Sequence, residues 1–282
     1  MAIGHDQLEG TADGASIKLV GAEVRDQVGV LTLNDPGRRN CLSLAMLDAL
    51  GRGLGEMTSA DEVHAIVLKA EGPVFCAGHD LKELTAHRKD ADKGRAHYKE
   101  VMEKCAGVMQ AIVRSRKPVI AAVQGTATAA GCQLVASTDL AVAAEHAKFC
   151  TPGVNIGLFC STPMVALSRN VSRKRAMEML LLGEMISAED AANFGLINRV
   201  SASGKVFDEA YDMARTIAQK SPVTVAIGKE AFYRQVEMGL SDAYDYAADV
   251  MVMNMLTRDA EEGIGAFVEK RAPVWGRDED DG

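Results

Sequence analysis

Twice in this chain a short apolar run meets a glycine or proline, passes through small residues and enters a helix. This repeated junction limits the fold more than any other feature. The second instance is residues 117–144, KPVIAAVQGTATAAGCQLVASTDLAVAA. Its apolar run, 119–123, lies between Pro118 and Gln124-Gly125, and a run of that length bounded by turn residues reads as a buried strand. Residues 126–130 read as a loop, 131–136 as a helix start and 140–144 as another buried strand. The first instance leaves a strand at 64–69, crosses Glu71-Gly72-Pro73 and Ala77-Gly78-His79, and enters a helix that Asp80 is placed to cap. A strand, a tight loop and a helix start leave amide N–H groups unpaired, which suits an anionic ligand. Small residues also simply allow close helix–strand packing. On residues 117–144 alone that second reading is the simpler one, because such turns are common in α/β proteins.

The rest of the chain extends the same pattern. Residues 17–24 and 28–33 are β-rich and separated by Arg25-Asp26-Gln27, which predicts a hairpin. Ser43 is a plausible cap for a helix with Leu44, Leu47, Leu50, Leu54 and Met57 on one face. The charged segment 86–95 reads as exposed. A long helix over 96–115 carries Val101, Cys105, Val108, Met109 and Ile112 on its apolar face. Residues 147–152 are extended and 153–163 a loop of small residues. Helices follow at 163–169, 172–182 and 188–193, with Gly183 and Gly195 at C-terminal caps. Beyond residue 201 only helices remain, at 206–219, 223–238, 241–256 and 258–270. The expected organisation is a loose leader (1–15), an α/β core (16–200), a helical region (201–276) and an acidic tail (277–282).

Composition excludes several classes of function. The net charge is −8, which argues against a nucleic-acid partner held through phosphates. No apolar run reaches transmembrane length, so no membrane association is expected. The first residues show neither a signal-peptide nor a transit-peptide pattern, and a cytoplasmic location is expected. Cys41, Cys76, Cys105, Cys132, Cys150 and Cys160 form no CxxC pair, and the histidines are scattered. Reduced, buried thiols and no metal site follow. Arg38-Arg39 is either a solvated loop or an anion contact. Met251, Met253 and Met255 read as core or subunit-interface packing.

Together the motifs resemble a known family. FCAGHDLKEL (75–84) and KPVIAAVQGTATAAGCQLVASTDL (117–140) resemble the two signatures of the enoyl-CoA hydratase/isomerase (crotonase) superfamily. KFCTPGVNIGLF, RAMEMLLLGEMISAEDAANFGLINRV and DAEEGIGAFVEKRAPVW resemble later blocks of that family, in the same order. The resemblance implies a spiral of ββα repeats and a C-terminal helical region that packs in homotrimers, often paired into hexamers. It implies an acyl-CoA thioester as ligand, coenzyme A arriving with the substrate and no separate cofactor. The thioester oxygen is expected between the backbone N–H groups of His79 and Ala130, where fixed amide dipoles stabilise an enolate. Where Ala130 stands the family usually has Gly, so a demand for positive φ there would strain it. By position Arg38 resembles a CoA-phosphate contact; Ala77, Asp80, Leu81 and Lys82 lie in the CoA-facing signature. Phe267 and Lys270 fall where a neighbouring subunit closes the site.

The family's hydratases use two glutamates, and the matching positions here are Gln133 and Gly153. An amide can orient a water but cannot take its proton near neutral pH, and glycine supplies no side chain. The resemblance therefore implies a role in fatty-acid and acyl-CoA metabolism with the hydratase acid–base pair missing. The alternative is a non-catalytic acyl-CoA-binding or regulatory homologue. His79 is a candidate substitute because imidazole titrates near neutrality; Asn155 is another amide, and Cys132, Cys150 and Cys160 read as inert. Asp80 and Glu83 read as capping or surface groups, and Asp139 as structural.

Overall fold

The chain is described by a computed structural model covering residues 9–12 and 15–276. At its start β1 (Glu9–Ala12) pairs antiparallel with β2 (Ala15–Lys18). Five residues of the expected leader, 9–12 and Ala15, are thus strand; residues 1–8, 13 and 14, and the acidic tail, lie outside the described residues. β3 (Val20–Arg25) and β4 (Val28–Leu33) form the predicted hairpin, with Arg25 opposite Val28. Asp26 and Gln27 turn it at φ of 48° and 63°, the left-handed pair that matches the twist of a two-residue hairpin. α1 (Leu44–Ser59) follows, and the Ser43 hydroxyl caps it by accepting the Met46 N–H at 3.2 Å.

Three ββα repeats then build the body of the molecule. The first is β5 (Ala65–Ala70), β6 (Val74–Cys76), α2 (Leu81–Ala86) and α3 (Arg95–Arg114). The second is β7 (Val119–Val123), β8 (Thr126–Thr128) and α4 (Ala130–Ser137). The third is β9 (Leu140–Ala144), β10 (Lys148–Cys150), α5 (Pro163–Asn170) and α6 (Arg173–Leu182). β11 (Ile186–Ser187), α7 (Ala188–Phe194) and β12 (Arg199–Ser201) complete it.

Each repeat contributes its first strand to one sheet and its second to another. The larger sheet runs β12-β9-β7-β5-β4-β3, all parallel except β3 with β4; the smaller runs β11-β10-β8-β6, parallel except β10 with β11. This is the ββα spiral implied by the resemblance. Parallel strands covered on both faces need near-continuous apolar runs. β7 supplies one, with all five residues buried. The loop expected over 126–130 is in fact strand through Thr128, because pairing with β6 and β10, not local sequence, makes it extended.

After residue 201, α8 (Val206–Ala218) lies on the larger sheet and buries Val206, Ala210, Ala214 and Ala218, one side of a helix. α9 (Pro222–Gln235), α10 (Leu240–Met255) and α11 (Arg258–Glu269) pack mainly on one another. A buried ion pair ties α9 to the core. Lys229 Nζ donates to Asp139 Oδ2 (2.7 Å), the Ile112 carbonyl (2.9 Å) and the Lys117 carbonyl (3.0 Å), and Tyr233 donates to Asp139 Oδ1 (2.9 Å). The structural role read for Asp139 is this one. By contrast α10 buries no side chain, and Phe232, Leu240, Met253, Leu256 and Phe267 are exposed.

Candidate active site

The two junctions singled out in the sequence touch in the structure. A Cβ added at Gly131 would lie 2.1 Å from the Cys76 carbonyl oxygen, so the start of α4 rests directly on β6. Gly78, at φ 87°, is also closely packed: a Cβ there would lie 3.0 Å from Ala129 Cβ and 3.2 Å from Ala130 N. Only glycine meets both the close approach and the left-handed backbone. Thr128 Oγ1 donates to the Ala77 carbonyl at 3.0 Å and fixes the contact.

This packing places the His79 and Ala130 amides on neighbouring strands of chain. Ala130 is the first residue of α4, whose first bond runs from Gln133 N–H to Ala129 O at 3.0 Å. Gly78 O accepts from Leu42 N–H at 2.8 Å, and Ala129 N–H donates to Cys150 O at 2.9 Å. Among the described residues the N–H groups of His79 and Ala130 have no acceptor. The positive φ considered for Ala130 falls instead on Ala129, at φ 50° and ψ −119°. Such a non-glycine conformation costs about 1–3 kcal/mol. It is stored one residue before Ala130, where it turns β8 into α4.

The side chains around these amides are few and mostly neutral. His79 Nδ1 lies 3.4 Å from the Leu42 carbonyl, and its Nε2 is buried without a partner among the described residues. Burial holds its pKa below the ordinary imidazole value of 6.5, the Leu42 contact offsetting this only in part. Gln133 is buried on α4 with Oε1 unpartnered. Gly153 is the second residue of a 3₁₀ segment at Pro152–Ile156, and its side-chain space is already filled. A Cβ there would lie 2.7 Å from the Leu158 carbonyl oxygen and 2.9 Å from Cys160 Sγ. Asn155 is exposed, and its Nδ2 donates to Gly183 O at 3.4 Å.

Asp80 caps α2 by accepting from Lys82 N–H (2.9 Å) and Glu83 N–H (3.2 Å). It also pairs with Arg38, whose Nε lies 3.9 Å from Asp35. Arg38 thus clasps the 36–38 turn to the first signature while staying 45% exposed. Ala77 N–H donates to the Arg39 carbonyl at 3.1 Å, Leu81 is half exposed and Lys82 exposed. Phe267 (83% exposed) and Lys270 end α11, which packs on α9 and α10; the single chain does not bring them to the junctions. The buried role of Asn40 escaped the sequence reading. Asn40 is fully buried, accepts from Asp35 N–H (2.8 Å) and donates to the Glu71 (2.9 Å) and Val74 (2.8 Å) carbonyls. Glu83, read as a capping or surface group, accepts from Leu44 N–H at 3.2 Å and so caps α1 from another helix. A turn rich in Asn, Asp and Gly was visible in sequence; its long-range partners were not.

The thiols are all free and buried. Desolvation raises Cys132, Cys150 (to about 11) and Cys160, with each burdened further or only partly relieved by neighbours. Thiols so protonated are poor nucleophiles. Among the described residues no cluster of His, Cys, Asp and Glu could hold a metal ion, and no helix is long and apolar enough to cross a membrane.

A ββα spiral that joins two glycine-bearing junctions and leaves their amides uncommitted defines a class. The chain belongs to the enoyl-CoA hydratase/isomerase family, whose profile matches residues 23–278. It is 47% identical over 258 residues to enoyl-CoA hydratase domain-containing protein 3, mitochondrial, of Rattus norvegicus, covering 92% of this chain and 84% of that protein. The crystal structure of human enoyl Coenzyme A hydratase domain-containing protein 3 superposes with a TM-score of 0.87 at 47% identity, covering 91% of this chain and all of that one. An enoyl-CoA hydratase of Mycobacterium smegmatis gives 0.86 at 50% identity, covering 91% and 98%. The rat, mouse and human relatives are named as mitochondrial. This overturns the cytoplasmic expectation, which rested on a missing targeting pattern, and a missing pattern carries no address.

Proposed function

We propose that the protein binds an acyl-CoA thioester with its carbonyl oxygen between the N–H groups of His79 and Ala130, and acts in acyl-CoA metabolism without being an ordinary hydratase. The observation that carries this reading is the pair of uncommitted amides brought together by Gly78 and Gly131. Dipoles fixed in this way favour an enolate oxygen, and one such donor contributes roughly 3 kcal/mol to a transition state. Ala130 also opens a helix, whose dipole adds in the same sense. Arg38, Ala77, Asp80, Leu81 and Lys82 form the CoA-facing edge in this reading. The exposed apolar faces of α9–α11 suit a homotrimer or a pair of trimers, with Phe267 and Lys270 reaching a neighbour's site. The relatives' names favour a mitochondrial setting.

Hydration needs one group to activate water and one to protonate the α-carbon. Gln133 cannot accept a proton, and at Gly153 a main-chain carbonyl and a thiol occupy the room a carboxylate would need. Each missing acid–base group removes about 10²–10⁴-fold. The same observation favours the second reading, a non-catalytic acyl-CoA-binding homologue. Calorimetric titration with crotonyl-CoA and with free coenzyme A, beside a crotonyl-CoA hydration assay, tests the proposal. We expect tighter binding of the thioester and hydration close to background. Equal affinity for thioester and free coenzyme A would refute the hole, and hydration at ordinary enzymatic rates would refute the lost acid–base pair. A panel of enoyl-, dienoyl- and acyl-CoA thioesters separates the two readings: none consumed means the binding module.

A further inference from the structure

We infer that Asn40, which lies outside both junctions, is the positioning residue that aims the His79 N–H. The inference rests on the thioester reading above and adds what holds its first donor in place.

The His79 N–H and the Gly78 carbonyl belong to one peptide unit, and in a planar trans peptide they point in opposite directions. The Gly78 carbonyl accepts from Leu42 N–H at 2.8 Å, within a parallel bridge between Leu42 and His79. That bond turns the His79 N–H away from the 39–42 segment. Two residues before His79, Ala77 N–H donates to the Arg39 carbonyl at 3.1 Å, and the Ala77 carbonyl accepts from Thr128 Oγ1 at 3.0 Å. Residues 77–79 are thus clamped between 39–42 and the end of β8. The peptide so fixed lies beside the second donor, since a Cβ at Gly78 would stand 3.2 Å from Ala130 N.

The 39–42 segment needs an anchor of its own. It carries two consecutive non-glycine residues in left-handed backbone, Arg39 at φ 57° and Asn40 at φ 51°. Such conformations persist only where the surrounding structure over-determines them. The fully buried Asn40 side chain supplies that restraint. Its Oδ1 accepts from Asp35 N–H (2.8 Å), and its Nδ2 donates to the Glu71 (2.9 Å) and Val74 (2.8 Å) carbonyls. Asn40 N–H returns to the Asp35 carbonyl at 2.8 Å. Glu71 and Val74 flank Gly72-Pro73 between β5 and β6, so both Nδ2 hydrogens hold the element that leads into 77–79. Asparagine tolerates left-handed backbone while offering an acceptor and two donors. Arg38 and Asp80 also bridge the two segments, but Arg38 is 45% exposed, and a partly solvated pair is a weaker restraint. Asn40 acts through Leu42 and Gly78 and touches no ligand itself.

The test uses the full-length protein and crotonyl-CoA isotopically labelled at the thioester carbonyl. Infrared difference spectra read the carbonyl stretch of the bound thioester, which falls as the two amides polarise it. Calorimetry reads affinity for the thioester and for free coenzyme A. Asn40→Gly keeps the left-handed backbone and removes all three side-chain bonds; Asn40→Asp keeps the shape and the Asp35 contact but sets a carboxylate against two carbonyls. In both, the stretch should move back toward its value in free thioester. Thioester affinity should fall about tenfold, the worth of one hydrogen bond, with free coenzyme A bound as before. Lys229→Met, whose bonds run to residues 112, 117 and 139, reports destabilisation alone and should keep the wild-type stretch. A wild-type stretch and wild-type thioester preference in either folded Asn40 variant overturns the assignment and leaves the thioester reading standing. An equal change in Lys229→Met overturns it too. Hydrogen exchange on wild-type protein needs no variant: the Leu42 and Ala77 amides should be protected. Exchange as fast as in the exposed segment 88–93 overturns the assignment. Wild-type protein with neither a lowered stretch nor a preference for thioester over free coenzyme A fails the thioester reading, and this inference with it.

Discussion

Gly131→Ala tests the architecture on which the site depends. The new methyl would stand 2.1 Å from the Cys76 carbonyl oxygen and 2.8 Å from its carbon, both main-chain atoms of β6. Carbon–oxygen contacts settle at about 3.3 Å or more, so the start of α4 must retreat from β6 by roughly 1 Å. Alanine helps the helix itself by up to about 1 kcal/mol. Overpacking a rigid contact costs about 1–3 kcal/mol, and here neither neighbour can rotate away. The clash wins, and for a chain of this size a net loss of one or two kcal/mol lowers the melting temperature by roughly 2–8 °C. A 1 Å retreat also moves the Ala130 N–H away from that of His79. Misplacement of that size costs about 10²-fold in a catalysed step, while free coenzyme A should bind unchanged. Gly55→Ala is the control: nothing lies within 4 Å of that Cβ, so only the helix-propensity gain remains. Differential scanning fluorimetry and thioester titration read both variants. A Gly131→Ala protein with wild-type melting and wild-type thioester affinity would refute the claim that this glycine sets the spacing of the two amides.

Other expectations follow from the same structure. Gln133→Glu/Gly153→Glu should not restore hydration, because a side chain at 153 meets the Leu158 carbonyl; a crotonyl-CoA assay showing turnover would mean that residues 157–160 move aside. Lys229→Met strands the buried Asp139 carboxylate, and loss of one partner from such a pair costs about 3–5 kcal/mol, measurable by urea denaturation. His79 makes stability depend on pH. Its folded pKa lies below 6.5, so the unfolded chain takes up the proton first as pH falls. Stability should therefore drop as pH falls from 6.5 through the folded value, and His79→Asn should flatten that portion of the curve. The buried thiols should resist alkylation at pH 7.5 in the folded protein and react once it is denatured, with Cys76, Cys105 and Cys150 raised to about 12, 12 and 11.

Much of the framework was legible in the chain because it depends on local chemistry. Ser43 and Asp80 are caps by residue type and position, and both make the bonds expected of them. The apolar face of α3 was read residue for residue, since five side chains at helical spacing leave little choice. Gly183 and Gly195 take the left-handed caps, at φ of 62° and 87°. Three of the short strands were not legible. β8, β11 and β12 hold three, two and three residues, too few for a periodic signal, and they exist because neighbouring strands pair with them.

For the site, sequence determined which residues stand at the two junctions, and the family resemblance implied which positions lack a carboxylate. Tertiary structure decided the rest. It moved the left-handed residue from Ala130 to Ala129, because the bend from β8 into α4 falls before the helix begins. It engaged Arg38 with Asp80 and filled the space beside Gly153 with the 158–160 segment. It buried His79 Nε2 without a partner, which residue type alone could never indicate. Sequence specifies donors and acceptors one by one, whereas whether an acceptor is satisfied depends on what distant chain folds against it.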